Sequence, residues 1–197
     1  YWPPAGGSGV QRWLKFVKYL PEFGVTPVVF TVENPEYVVE DYSLQNEVAD
    51  DVEVLRGKIW EPNQLLGNWG GKGKKVSAGF LDAKPGIKDR ILRFIRANYF
   101  IPDSRKFWIK PSVKLLTDYL RDKDFDAIIT TGPPHSVHLI GLALKKKLGL
   151  KWVADFRDPW TSIDYFHNLP LTRSSLKKHR DLEKEVLKNA DRVIVVG

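Results

Sequence analysis

Three short stretches carry residue types that can do chemistry. Residues 154–160, "ADFRDPW", set Asp155, Arg157 and Asp158 among aromatic neighbours. A guanidinium offers a planar fork for phosphate or carboxylate, and carboxylates accept from hydroxyls. The trio therefore suits a ligand bearing both, or an internal Asp–Arg pair that holds a loop. Residues 130–141, "TTGPPHSVHLIG", place His135 on the rigid turn Gly132-Pro133-Pro134 and His138 in the first turn of a helix. Two histidines three apart hold a metal only with a third ligand, and none follows at a suitable spacing. The expectation is hydrogen bonding to a ligand hydroxyl or phosphate, with simple helix capping as the plain alternative. The third stretch, "PPAGGSGVQRW" (3–13), runs Gly6, Gly7, Ser8 and Gly9 into a helix pattern. Glycines let the backbone turn sharply and a ligand approach, and the first N–H groups of a helix are unpaired and partly positive. The loop therefore reads as an anion site or a plain turn, with Ser8 as helix cap or hydroxyl donor. It is not a Walker loop, because no Lys-Ser/Thr pair follows, and not a GxGxxG fingerprint, because Arg12 stands where the third glycine belongs.

The intervening chain must position these clusters. Val10, Trp13, Leu14, Val17 and Leu20 form one helical face, and Pro21 and Gly24 end it. Strands are expected at 26–32, 52–55, 126–131, 152–156 and 192–196. Helices are expected at 110–120 (Val113, Leu116 and Leu120 inward), at 136–148 with Gly149 as its cap, and at 173–189 (Leu182, Val186, Leu187 and Ala190 inward). Alternating strands and helices predict an α/β, Rossmann-like, doubly wound parallel sheet. Ligands bind such sheets beyond the C-terminal strand ends, where all three clusters fall. Tyr1-Trp2 reads as the end of a first strand that is truncated.

Composition bounds the rest. The 197 residues suit a single domain, and 43% of them are hydrophobic, enough for a substantial core. The chain has no cysteine, which excludes a disulfide scaffold and a thiolate metal site. No signal peptide is visible, and no run of about 18 apolar residues suggests a membrane span. The net charge of +7 favours an anionic partner: nucleotide, phospholipid surface or nucleic acid. Residues 57–108 interrupt the rhythm as a basic insertion. Within it "GNWGGKGKK" (67–75) reads as a mobile loop. Residues 87–100 read as a helix with Ile87, Ile91, Phe94, Ile95 and Tyr99 on one face and Lys88, Arg90, Arg93 and Arg96 around it. Such a helix rests on an anionic membrane surface through Arg90, Arg93 and Arg96, or packs on its own domain.

Together with "IPDSRKFWIKPS" (101–112) and "EKEVLKNADRVIVVG" (183–197), the three clusters resemble the N-terminal half of bacterial family 4 glycosyltransferases, which have the GT-B fold. The resemblance runs through nearly the whole chain. It implies two Rossmann-like domains facing a cleft, of which this chain is the acceptor-side one and the donor domain, with its Glu-rich motif, is absent. It implies a retaining hexosyltransferase acting in envelope polysaccharide or glycolipid synthesis, with no cofactor and no metal. Its partners would be a nucleotide-sugar, held mainly by the absent domain, and a saccharide or lipid-linked acceptor, with no nucleic acid. Gly7, Ser8 and Gly9 would lie near the donor diphosphate or the acceptor. His135 or His138 would touch the acceptor or the transferred sugar, and Asp155, Arg157 and Asp158 would shape the acceptor side. Location would be cytoplasmic, peripheral on the inner membrane face if the basic helix meets lipid. Two other classes compete. One is a dinucleotide-binding oxidoreductase domain, opposed by Arg12 but helped by Glu33 after a strand. The other is a non-catalytic basic module for membrane or nucleic acid, for which no nucleic-acid motif is present.

Overall fold

The computed structural model describes residues 2–33, 39–59 and 86–196. The chain divides into two compact units: residues 1–59 with 72–80, and residues 60–71 with 81–197. The glycine- and lysine-rich stretch 67–75 lies outside the described residues.

In the first unit, helix α1 spans Ser8–Tyr19 and buries Val10, Leu14 and Val17 at the expected spacing. Trp13 and Leu20 on the same face are half-buried. A short 3-10 turn, Leu20–Phe23, follows, and Gly24 closes it in the left-handed conformation at φ 73°. Strands β1 (Val28–Val32) and β2 (Glu53–Gly57) pair in parallel. The core gathers Trp2, Ala5, Val10, Leu14, Val17 and Leu44, with Val29 and Val54 of the strands against it. Trp2 is buried but lies outside any strand; the chain beside it instead bridges Ala5 to Glu40.

In the second unit, helix α2 (Ile87–Tyr99) precedes a 3-10 turn (Ser104–Trp108) and helix α3 (Ile109–Leu120). Strands β3 (Ala127–Gly132), β4 (Lys151–Phe156) and β5 (Arg192–Val195) form a parallel sheet in the order β3-β4-β5. Helix α4 (Ser136–Leu148) joins the first pair and helix α5 (Arg173–Asn189) the second. The α/β class and parallel pairing are as expected, and the five described strands lie in two sheets of two and three strands.

Side chains alternate across a strand, so Ile128, Trp152, Ala154 and Phe156 share one sheet face. There they meet Leu139 and Leu142 of α4 and Leu182 and Val186 of α5. Gly149, left-handed at φ 72°, ends α4 beyond Lys145, Lys146 and Lys147, which suit the negative end of the helix. Thr172 caps α5 by accepting from the Ser175 N–H. The inward stripe of α5 is Ser175, His179, Leu182 and Val186, the first, second and last buried. Leu187, expected inward, is exposed, because one residue further along a helix is about 100° off that stripe. Among the described residues no helix is long and apolar enough to cross a membrane.

Candidate functional site

The glycine loop belongs to the first unit. Gly7 is the N-cap residue of α1, and its φ of 104° with ψ of 164° lies in a region almost reserved for glycine. Ser8 is therefore not the cap. It is the first helical residue, and no side chain caps α1. Gly9 is helical, so Gly7 is the loop residue that requires glycine. The loop is held in shape by Gly6 N–H donating to the Val39 carbonyl (2.9 Å) and Asp41 N–H to the Pro4 carbonyl (2.8 Å). The Gly7 carbonyl accepts from Val10 and Gln11. Among the described residues nothing accepts from the N–H groups of Gly7, Ser8 or Gly9. Gly7→Ala should cost the first unit about 1–3 kcal/mol through backbone strain alone. A lower urea midpoint for loss of α1 helicity is the check; an unchanged one would mean that the loop relaxes freely.

The other two clusters meet at the C-terminal end of the β3–β4 pair, where Thr131 stands beside Asp155 and Gly132 beside Phe156. The fully buried carboxylate of Asp155 accepts from the Thr131 hydroxyl at 2.8 Å. Arg157 clasps the opposite turn twice: its N–H donates to the Gly132 carbonyl at 2.9 Å, and its guanidinium Nη2 donates to the Pro133 carbonyl. His135 stacks flat on Trp160 at 4.7 Å, and His138 stacks on Phe156 at 4.4 Å. The Trp160 indole N–H in turn donates to His179 Nδ1 at 3.2 Å. Arg157 and Asp158 are half-buried at the surface of this arrangement, and His135 is 9% exposed. His138 and Asp155 have no exposed surface and support the two turns from beneath.

The hydrogen bonds fix which nitrogen of His138 carries its proton. The Trp152 indole N–H can only donate, and it donates to Thr130 Oγ1 at 2.9 Å. The Thr130 hydrogen then goes to His138 Nδ1, also at 2.9 Å, its only acceptor among the described residues. His138 is left with its hydrogen on Nε2. That atom faces Gly132, where an added Cβ would stand 2.6 Å away. Burial lowers the pKa of His138 from 6.5 to about 3, with smaller contributions from His135 and Arg157. Burial likewise lowers that of His135 to about 4, helped by His179 and Arg157. Both rings are neutral at physiological pH.

Two buried ring nitrogens lie close together in sequence with no hydrogen-bond partner among the described residues: His135 Nδ1 and His138 Nε2. Each such atom costs about 1–3 kcal/mol when left unpaired. Their concentration on the first residues of α4 marks a place that a ligand or water can satisfy.

Asp103 has a structural part here that its sequence context does not reveal. Asp103 precedes the 3-10 turn, and one carboxylate oxygen accepts from the Arg105 N–H at 2.9 Å. The other accepts from the Ser136 N–H at 2.8 Å, so an internal carboxylate already occupies the N-terminus of α4. Burial raises the pKa of Asp103, against these hydrogen bonds. An Asp followed by Ser-Arg signals a local turn, but nothing in the sequence shows its reach to residue 136. Trp160, which stacks on His135, and His179, edge-on to Trp160, are likewise visible in the sequence only as an aromatic flank and a helix residue. Among the described residues no group of three or more His, Cys, Asp or Glu could hold a metal ion.

Searches of protein-family models, of curated proteins and of solved structures found nothing that matches this chain.

Proposed function

We propose that residues 1–197 form the acceptor-binding part of a retaining glycosyltransferase, which moves a sugar from a nucleotide-sugar donor to an envelope polysaccharide or glycolipid acceptor. The observation that carries the proposal is the gathering of Arg157, Asp158 and His135, the last with an unpaired Nδ1, around one turn clasped by Arg157. It lies at the strand ends where α/β sheets bind ligands, and it mixes neutral donors and acceptors with one cation and one anion. That mixture suits a polyhydroxylated ligand bearing a negative group. Arg157, Asp158 and His135 would touch the ligand, while His138 and Asp155 hold the turns in place. Free N–H groups at Gly7, Ser8 and Gly9 suit a phosphate.

Calorimetric titration tests the assignment. The 197-residue chain is titrated with nucleoside-diphosphate sugars, with oligosaccharides and with NAD. A sugar-containing ligand should bind, and Arg157→Ala should weaken it by about ten- to a hundredfold, the worth of one charge-assisted hydrogen bond. Arg157→Lys should recover little, since an ammonium lacks the planar fork. Binding of NAD in preference to every sugar, or sugar binding indifferent to both substitutions, would remove the proposal.

A further inference from the structure

Two acceptors one turn apart on α5 hold the loop that carries Arg157 and Asp158. His179 Nδ1 accepts the Trp160 indole hydrogen at 3.2 Å. Glu183, one turn further on, accepts the Thr161 N–H at 3.2 Å with one oxygen and the Thr161 hydroxyl with the other. Residues four apart on a helix lie one above the other, so successive loop residues meet successive acceptors. At the other end of the span Arg157 is fastened to the turn at Gly132 and Pro133. Asp158 therefore stands in a short stretch that is tied down on both sides.

Trp160 carries this fastening into the candidate site. It is buried, and its ring lies on that of His135 at 2° from parallel. An indole N–H can only donate, so the nitrogen that meets it must be an acceptor. His179 is therefore a neutral imidazole with its hydrogen on Nε2. An imidazolium has a hydrogen on both nitrogens, and N–H would then face N–H. The His179 ring is itself buried, with Phe166 edge-on to it at 5.1 Å. The charges that act on it are Glu183 and Lys178 of its own helix, which oppose each other. The loop packed against it presents the Trp160 and Phe166 rings, and beyond Trp160 stands His135, also neutral. Burial outweighs both charges and holds the His179 pKa below 6.5, so the accepting form is the one present at neutral pH.

We propose that His179 is a positioning residue of the candidate site. As a hydrogen-bond acceptor it holds Trp160 on His135, and so fixes where His135 presents its unpaired Nδ1 and where Asp158 stands. A proton on His179 Nδ1 releases Trp160 and loosens the site. The proposal rests on the functional reading for the kind of ligand alone; the fastening itself stands without it.

Two substitutions separate the acceptor from the bulk of the side chain. His179→Gln keeps an accepting oxygen, and His179→Phe keeps a ring without one. One-bond nitrogen–proton spectra follow the Trp160 indole, assigned by its loss in Trp160→Phe. At neutral pH the resonance should lie at its hydrogen-bonded position in the parent and in His179→Gln, and away from it in His179→Phe. Acid should move the parent resonance to that second position before circular dichroism reports unfolding, and should not move it in His179→Gln. Diethyl pyrocarbonate with peptide mass spectrometry reads His135 at neutral pH, against exposed His167 as reference. His135 should react about tenfold faster in His179→Phe than in the other two proteins, the release expected from losing one hydrogen bond, while buried His138 stays unreactive. An indole resonance that is the same in His179→Phe as in the parent overturns the inference. So does one that moves with acid only when the protein unfolds, or a gain in reactivity shared equally by His138. Nucleoside-diphosphate sugars and oligosaccharides are then titrated into the same three proteins. One that binds the parent should bind His179→Phe about tenfold more weakly and His179→Gln nearly as well as the parent. Equal binding by all three overturns the inference and leaves the functional reading standing. Binding by none removes the functional reading, and the indole resonance with the His135 reactivity then decides the inference.

Discussion

Acidification from neutral to about pH 5 should destabilise the second unit by about 4 kcal/mol. His135 and His138 are held neutral in the folded protein, with pKa values lowered from 6.5 to about 4 and about 3. Above pH 6.5 the folded and unfolded chains bind the same number of protons at these sites. Below it the unfolded chain takes up protons that the folded chain refuses, so stability falls with pH until the folded pKa values are reached. One pH unit is worth about 1.4 kcal/mol per group, which gives about 2 kcal/mol for each histidine at pH 5. His179, also lowered by burial, acts in the same direction. Asp103 acts in the opposite one: its raised pKa means that the folded state takes up its proton first, so acid relieves the cost of its buried charge. Urea titrations at neutral pH and near pH 5 measure the difference. His135→Gln should remove roughly half of the pH dependence. Equal unfolding free energies at the two pH values would show that the histidines are protonated in the fold without penalty.

Gly141→Ala should destabilise the same unit by about 2–4 kcal/mol, against the usual preference for alanine in a helix. Alanine is favoured over glycine there by about 1 kcal/mol. At this position, however, an added Cβ would stand 2.4 Å from Trp152 Nε1 and 2.7 Å from Thr130 Cγ2. Helix α4 crosses the sheet at the spot where the Trp152–Thr130–His138 hydrogen-bond chain lies. Trp152 has no exposed surface and cannot swing away. Overpacking costs about 1–3 kcal/mol, and breaking the chain leaves buried polar groups unpaired at a further 1–3 kcal/mol or so. Thermal and urea melts read the loss, and one-bond nitrogen–proton spectra would show the Trp152 indole resonance shifted. A variant as stable as the parent would mean that α4 moves off the sheet without cost.

Local signals carried most of the element boundaries. The helix at 136–148 with its glycine cap, the helix at 173–189 and the strand sequence between them are placed by apolar period, breaker residues and terminal charges, all of which act within a few residues along the chain. The same local information misplaced the cap of α1. Ser8 has the right side chain, but Gly7 alone adopts the backbone angles that the turn requires. It also put Leu187 on the inward face of α5, because the stripe is set by the sheet beneath it and by Trp160, which draws His179 inward.

The candidate site shows the division most clearly. The order of the chain places Asp155, Arg157, Asp158, His135 and His138 after strands, since a strand end and the next helix start are adjacent in sequence. It also determined the amphipathic order of residues 87–99. Long-range packing alone makes Arg157 clasp the 132–133 turn, buries His135, His138 and Asp155 while leaving Arg157 and Asp158 half-buried, and brings Asp103 to the N-terminus of α4. It alone ties Asn98 of α2 to Pro170 and Thr172. The physical reason is the same in each case. Periodicity and capping are short-range properties of the backbone, whereas burial, pKa and the partner of a polar atom depend on which distant segments pack against it. Residues 103 and 136, or 98 and 172, meet only after the fold has formed.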